Sequence, residues 1–211
     1  MHDNLCELRA RAEASDAQAQ AELGFAYATG KGVSIDFSEA VIWFRRAAEQ
    51  GDANSAFNLG VAYESGEGVP KDAAVAAHWF TVASEVGHPS ALFNLGNSYR
   101  DGRGVPQNAA HALLLFQQAA ALGNTNAQYN LALMLFHGRG GPRDAGAAFY
   151  WWRTAAEAGD ADSAFEVAAM YDSGIGVDEN AAEAKRWFEV AASRGHAEAA
   201  RVLADWDETT E

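Results

Sequence analysis

The stretch SGEGVPKD, Ser65 to Asp72, places two glycines one residue apart, then a proline, a lysine and an acid. A glycine-rich loop that opens a helix can turn its backbone N–H groups on an anion, and a nearby lysine strengthens that reading. The alternative is a turn. The stretch recurs as TGKGVSID from Thr29, DGRGVPQN from Asp101, HGRGGPRD from His137 and SGIGVDEN from Ser173, each 36 residues after the one before. A fixed period of this length is the mark of stacked repeats. The lysine is not part of the pattern, because Ile35, Gln107, Arg143 and Glu179 stand where Lys71 does, and no repeat carries GxxxxGK[ST]. The glycine pair therefore reads as a turn.

Working outward, each repeat holds two helices. The first (helix A) is expected over about 17–29, behind a cap held in turn by Asp16, Asp52, His88, Asn124 and Asp160. Gly30, Gly66, Gly102, Gly138 and Gly174 follow it, where a left-handed residue ends a helix. The second glycine, Gly32 and its equivalents, lets the loop turn tightly. The second helix (helix B) begins at Asp36, Asp72, Asn108, Asp144 and Asn180, and Asp36 with Glu39 and Asn180 with Glu183 resemble capping boxes. Helix B ends at Gly51, Gly87, Gly123, Gly159 and Gly195, and the next cap follows at once. Links this short set neighbouring helices antiparallel.

At 100° per residue, Gln20, Leu23, Gly24 and Tyr27 share one face of helix A. Glycine recurs at 60 and 96 and becomes Ala132 and Ala168, so this position stays small enough for close helix approach. Helix B supplies large pairs, Trp43–Phe44, Trp79–Phe80, Leu115–Phe116, Trp151–Trp152 and Trp187–Phe188, with small Ala47, Ala83, Ala119, Ala155 and Ala191. Large and small residues alternate as interlocking layers require. Residues 1–15 match a degraded helix B, with Leu8 in the Phe44 position. Residues 196–211 match a helix A with Leu203 at the leucine position, then an acidic tail, DETTE. The organisation expected is an N-terminal half-repeat (1–15), five repeats (16–51, 52–87, 88–123, 124–159, 160–195) and a C-terminal half-repeat (196–211). The fold class is all-α, antiparallel helix pairs in 36-residue repeats.

Composition narrows function. The chain has 211 residues, a net charge of −14 and one cysteine, Cys6. One cysteine forms no internal disulfide and no cysteine-based zinc site. The acidity argues against nucleic acid, which calls for a basic patch. The N-terminus lacks an apolar signal region and no apolar run reaches membrane-spanning length, so a cytoplasmic chain without membrane insertion is expected. No S-x-x-K and no HExxH occurs, and no histidine pair is spaced for a metal. His88 and His196 sit at caps, His137 lies near a loop without an assigned role, and Cys6 has only Arg9 nearby. No catalytic, cofactor or metal site is expected.

The segment AELGFAYATGKGVSIDFSEAVIWFRRAAEQG resembles the Sel1-like repeat, a relative of the tetratricopeptide repeat, nearly position for position. The resemblance covers about residues 16–195. It is weakest in the fourth repeat, where Leu135 replaces Tyr, Gly141 replaces Val and Ala132 replaces Gly. It implies a right-handed superhelical solenoid with helix A on the concave side, acting as an adaptor for other proteins in signalling or related assemblies. Some cysteine-rich relatives are described as binding or cleaving β-lactams, but they carry paired cysteines in each repeat.

The expected binding face is the side of helix A opposite the core, positions 18, 22, 25 and 29. Position 22 reads Glu22, Asn58, Asn94, Asn130 and Glu166, and Asn54, Asn97 and Asn126 extend the strip. An asparagine ladder offers donors and acceptors to an extended peptide backbone. Equally, the asparagines could be solvated or bridge repeats, and Phe57, Phe93, Tyr129 and Phe165 beside them could pack between repeats. Nine acids (Asp16, Glu22, Asp52, Glu64, Asp101, Asp160, Asp162, Glu166 and Asp172) face one base, Arg100, along the five helix A segments. Three of the acids are caps. A neutral or basic, not acidic, peptide is the expected partner, with the chain a monomer or weak homo-oligomer. A self-assembling protein is the other reading, with Trp206 as a contact residue.

Overall fold

The computed structural model describes residues 2–209, with side chains described over 5–206. Every element among them is helical. The chain forms two compact halves, residues 1–108 and 109–211, so the division falls inside the third repeat.

The first half contains α1 (His2–Glu13), α2 (Ala17–Thr29), α3 (Phe37–Ala48), α4 (Ala53–Ser65), α5 (Ala73–Glu85) and α6 (Pro89–Asp101). Each packs on the next, and α2 also touches α4. The core joins Leu23, Leu59, Trp43, Phe44, Trp79 and Ala12. Ala12 lies on α1, which behaves as a helix B. Its Arg9 bonds the Tyr27 hydroxyl as Arg45 bonds Tyr63 thirty-six positions later. The buried Gln20 amide donates to the Ala12 carbonyl at 2.9 Å.

The second half contains α7 (Ala109–Ala121), α8 (Thr125–His137), α9 (Ala145–Glu157), α10 (Ala161–Ser173), α11 (Ala181–Ser193) and α12 (Ala197–Thr209), again packed in sequence. Trp152, Val167, Met170, Trp187 and Phe188 share its core. Trp206, expected at an assembly surface, meets Phe188 edge-on at 6.1 Å and belongs to this packing. The side chains of the DETTE tail lie outside the described residues.

The helix ends follow the cap chemistry. Asp16, Asp52, Asn124 and Asp160 accept the N–H three residues on, at 2.7–3.1 Å. Asp36 and Asn180 likewise accept from Glu39 and Glu183. The capping boxes are half made. The Asp36 N–H, which Glu39 would have accepted, donates instead to the Tyr27 carbonyl at 3.0 Å, and the Asn180 N–H donates to Tyr171 at 2.9 Å. The same clamp closes from Asp72 to Tyr63, Asn108 to Tyr99 and Asp144 to Leu135. It draws the start of helix B onto the last turn of helix A.

Two sets of glycines have distinct roles. A Cβ on Gly24 would lie 2.7 Å from the Phe44 ring, and one on Gly60 would overlap Phe80. The aromatic ring of helix B thus lies directly on the helix A backbone, and this contact offsets the roughly 1 kcal/mol cost of a mid-helix glycine. The second loop glycine does more than turn the chain. A Cβ on Gly68 would strike the Phe37 carbonyl, and one on Gly104 the Ala73 carbonyl; Gly140 and Gly176 stand in the same way against Ala109 and Ala145. Each loop is stacked, backbone to backbone, on the first turn of the preceding helix B. Ser38 adds a hydroxyl bond to the Gly68 carbonyl at 3.3 Å.

Gly87, just after α5, has the same left-handed φ (+79° against +74° for Gly68) but, among the described residues, no atom within 4 Å of its would-be Cβ. Gly87→Ala should therefore cost only the left-handed penalty, about 1–2 kcal/mol. Gly68→Ala should add about 1–3 kcal/mol of overpacking. Urea midpoints of the two variants check this; equal midpoints would remove the stacking role of the second glycine.

Candidate functional site

The face of helix A opposite the core is built differently in the two halves. In the first, Leu5 and Leu8 of α1, Glu22 and Phe25 of α2, and Asn54 and Asn58 of α4 surround an open hollow of about 670 Å³. A second hollow of about 150 Å³ adjoins it, with Phe25 and Asn58 lining both. Phe25 is 53% exposed. Sequence reasoning placed position 25 on this face but assigned binding to the polar residues. An apolar ring at an outward helical position was the available signal. Leu5, Leu8 and Lys31 were also missed, because their place at the hollow depends on how α1 and the first loop pack.

Glu22, Asn54 and Asn58 are thus brought together. Their amides and carboxylate are not equally available. Asn54 Oδ1 lies 3.2 Å from His88 Nε2, bridging two repeats. His88 Nδ1 accepts the Ala91 N–H at 3.2 Å, so Nε2 carries the proton and donates to Asn54. Glu22 accepts from Gln18 at 3.0 Å. The half-buried Asn58 side chain makes no hydrogen bond among the described residues. Asn94 and Asn97 lie on α6 in the same half and do not line either hollow. Asn97 Oδ1 is buried without a partner, so this oxygen does not face the solvent as a polar strip would require.

Asn126, Asn130 and Glu166 lie in the second half. Asn126 is exposed, and Asn130 donates to its backbone carbonyl at 3.1 Å. Glu166 is half-buried, and this burial pushes its carboxyl above the usual 4.5; Asp162 adds to the rise and His196 opposes it. Burial, with the Glu166 charge second, likewise raises the Tyr129 phenol. The aromatics beside the asparagines pack between helices. Phe57 stacks on His88 at 4.7 Å, Phe165 on His196 at 4.4 Å, and Tyr129 approaches Trp152 at 6.4 Å.

The helix A acids are not a uniform strip. Bases from outside these helices reach several of them. Arg11 of α1 holds Asp16 at 2.6 Å, and Arg103 of the following loop meets Glu64 at 3.2 Å and Asp101 at 3.5 Å. Arg100 pairs with Asp101 at 2.7 Å. The Ala19 N–H and Arg11 hold the Asp16 carboxyl below its usual range. On α10, by contrast, Asp162, Glu166 and Asp172 have no Lys or Arg ion pair among the described residues, and His196 lies 3.6 Å from Asp162. Among the described residues, Glu22 and Asp52 of the first half likewise have no Lys or Arg ion pair.

Among the described residues, no group of three or more His, Cys, Asp or Glu is gathered to hold a metal, and no helix is long and apolar enough to cross a membrane. Cys6 is exposed, and His137 is exposed with its ring edge-on to Phe136 at 5.3 Å.

His88 must be neutral at Nδ1 to cap α6, and burial lowers its pKa below the ordinary 6.5. Asp52 opposes that shift with a smaller effect. A histidine whose folded pKa lies below its unfolded one contributes full stability above the unfolded value and loses it as pH falls from there toward the folded value. Thermal melts between pH 8 and 5 should show wild type losing more stability below pH 6.5 than His88→Asn, whose cap does not titrate. Parallel pH profiles would show that the cap does not require the neutral ring.

The Sel1 repeat model matches five times, at residues 17–52, 53–88, 89–124, 125–160 and 161–196. The crystal structure of a protective antigen present in uropathogenic Escherichia coli strains, displaying an SLR fold, is 38% identical with a TM-score of 0.92. The match covers 95% of this chain and 43% of that one, so this chain spans less than half of the antigen's length. A Sel1 repeat protein from Oxalobacter formigenes is 32% identical with a TM-score of 0.81, over 90% of this chain and 75% of that one. Helicobacter pylori cysteine-rich protein B, at 22% identity and a TM-score of 0.51 over 63% of this chain and 96% of its own, shares the fold alone. No curated protein matches the chain. Sel1 repeats are generally non-catalytic scaffolds for protein interaction, and they imply protein partners.

Proposed function

The chain belongs to the Sel1 repeat family, and from that premise we propose that it is an adaptor binding an extended, neutral or basic peptide segment along the outward face of helix A. The observation that carries this reading is the hollow of about 670 Å³ around Glu22, Asn54 and Asn58. Its volume falls in the range of about 300–1,000 Å³ usual for ligand sites. The uncommitted Asn58 amide offers one donor pair and one acceptor to a peptide backbone without reading its side chains. Asn94 supplies the next amide on α6, and Asn126, Asn130 and Glu166 are the corresponding groups of the second half. The unpaired acids of α10 favour a segment that is not acidic.

Each lost backbone hydrogen bond costs about 1 kcal/mol, or about fivefold in affinity. A peptide selected on the wild-type chain should bind Asn58→Ala about fivefold more weakly, and an Asn58→Ala, Asn94→Ala double variant more weakly still, with the melting midpoint unchanged. Fluorescence anisotropy of the labelled peptide reads this. Undiminished binding by the folded double variant would move the site away from helix A, and tight binding of an acidic peptide would refute the charge preference.

A further inference from the structure

We propose that the hollow of the first half is an anchor pocket, which takes one bulky apolar side chain of the bound segment with a Lys or Arg beside it. This rests on the peptide-binding reading above and adds what the peptide must carry. The argument starts from a single departure in the repeat pattern. The position occupied by Phe57, Phe93, Tyr129 and Phe165 in the other four repeats is Ala21 in the first. In those repeats the ring is used internally: Phe57 stacks on His88 and Phe165 on His196. At Ala21 there is no ring, and the space beside it is part of the hollow, which Ala21 itself lines with Ala26.

The walls suit an apolar guest. Leu5 and Leu8 are only half-buried, Phe44 lies beneath, and Phe25 stands 53% exposed at the junction of the two hollows. An exposed ring beside an unfilled apolar hollow is the geometry of an interaction hot spot, where aromatic and aliphatic anchors bury most of their surface. The rim sets the flank. Arg11 is closed on Asp16 by bonds of 2.6 and 2.9 Å, which leaves Glu7 and Glu22 against Lys31. That excess of carboxylate favours a cation next to the anchor.

The test is selection of a phage-displayed random dodecapeptide library on the intact chain, followed by anisotropy with the enriched peptides. They should share a Phe, Trp, Leu or Met adjacent to Lys or Arg. Ala21→Phe restores the ring found in the other repeats and should weaken binding at least tenfold. Changing the peptide anchor to Ala should cost as much on wild type and nothing further on Ala21→Phe. Phe25→Ser, at an exposed site, should weaken binding as well and serves if Ala21→Phe melts early. Enriched peptides without an apolar anchor, or with acidic flanks, would overturn the proposal. So would unchanged affinity for Ala21→Phe and Phe25→Ser; if binding still fell with Asn58→Ala and Asn94→Ala, the peptide-binding reading would stand without the anchor. No enrichment, or binding insensitive to every variant, would overturn both.

Discussion

The contact on which the repeats depend is backbone against backbone. The second glycine of each loop lies on the opening carbonyl of the preceding helix B, Gly68 on Phe37 and Gly104 on Ala73 in the first half, Gly140 on Ala109 and Gly176 on Ala145 in the second. No side chain fits between them. An insertion in the loop would move the glycine off its seat, so the constant period of 36 residues has a steric origin. Two constraints therefore coincide at one residue type: a backbone angle and a close approach.

Hydrogen-bond satisfaction explains how the remaining polar backbone is accommodated. Helix ends leave unpaired N–H and carbonyl groups that are costly to bury. Here the N–H of each helix B cap closes on a helix A carbonyl, while the side chains of Asp36, Asp72, Asp144 and Asn180 close on the helices they open. Histidine at 88 and 196 performs the same capping through Nδ1, and its ring also stacks on Phe57 or Phe165 of the preceding repeat. A cap that is also an inter-repeat contact ties local helix formation to packing, which is what makes neighbouring repeats stabilise one another.

Function in such an array rests on departures from the repeat rather than on the repeat itself. Where the later repeats place Phe57, Tyr129 and Phe165, the ring is used within the protein. Where the first repeat places Ala21, the surface opens beside Phe25 and the Asn58 amide. The halves also differ in charge. Arginines outside helix A pair with Asp16, Glu64 and Asp101 in the first, whereas α10 of the second has no arginine or lysine ion pair among the described residues.

The sequence by itself determined the helices, their caps, their terminal glycines and the buried face of Leu23, Gly24 and Tyr27. These features arise from interactions within a few residues and from a helical period that any chain order reveals. Tertiary structure decided what depended on distant residues. The capping boxes lost one arm because the loop carried the Asp36 N–H to Tyr27. The acidic strip was broken by Arg11 and Arg103, which lie outside the helices whose charges were counted. Asn54 was drawn to His88, Asn97 turned an oxygen inward, and Trp206 packed, half-buried, against the core. Above all, the missing ring at Ala21 is written in the sequence, but the hollow beside it also needs α1, α2 and α4 to pack around that space, and empty space of this kind is set by how elements pack.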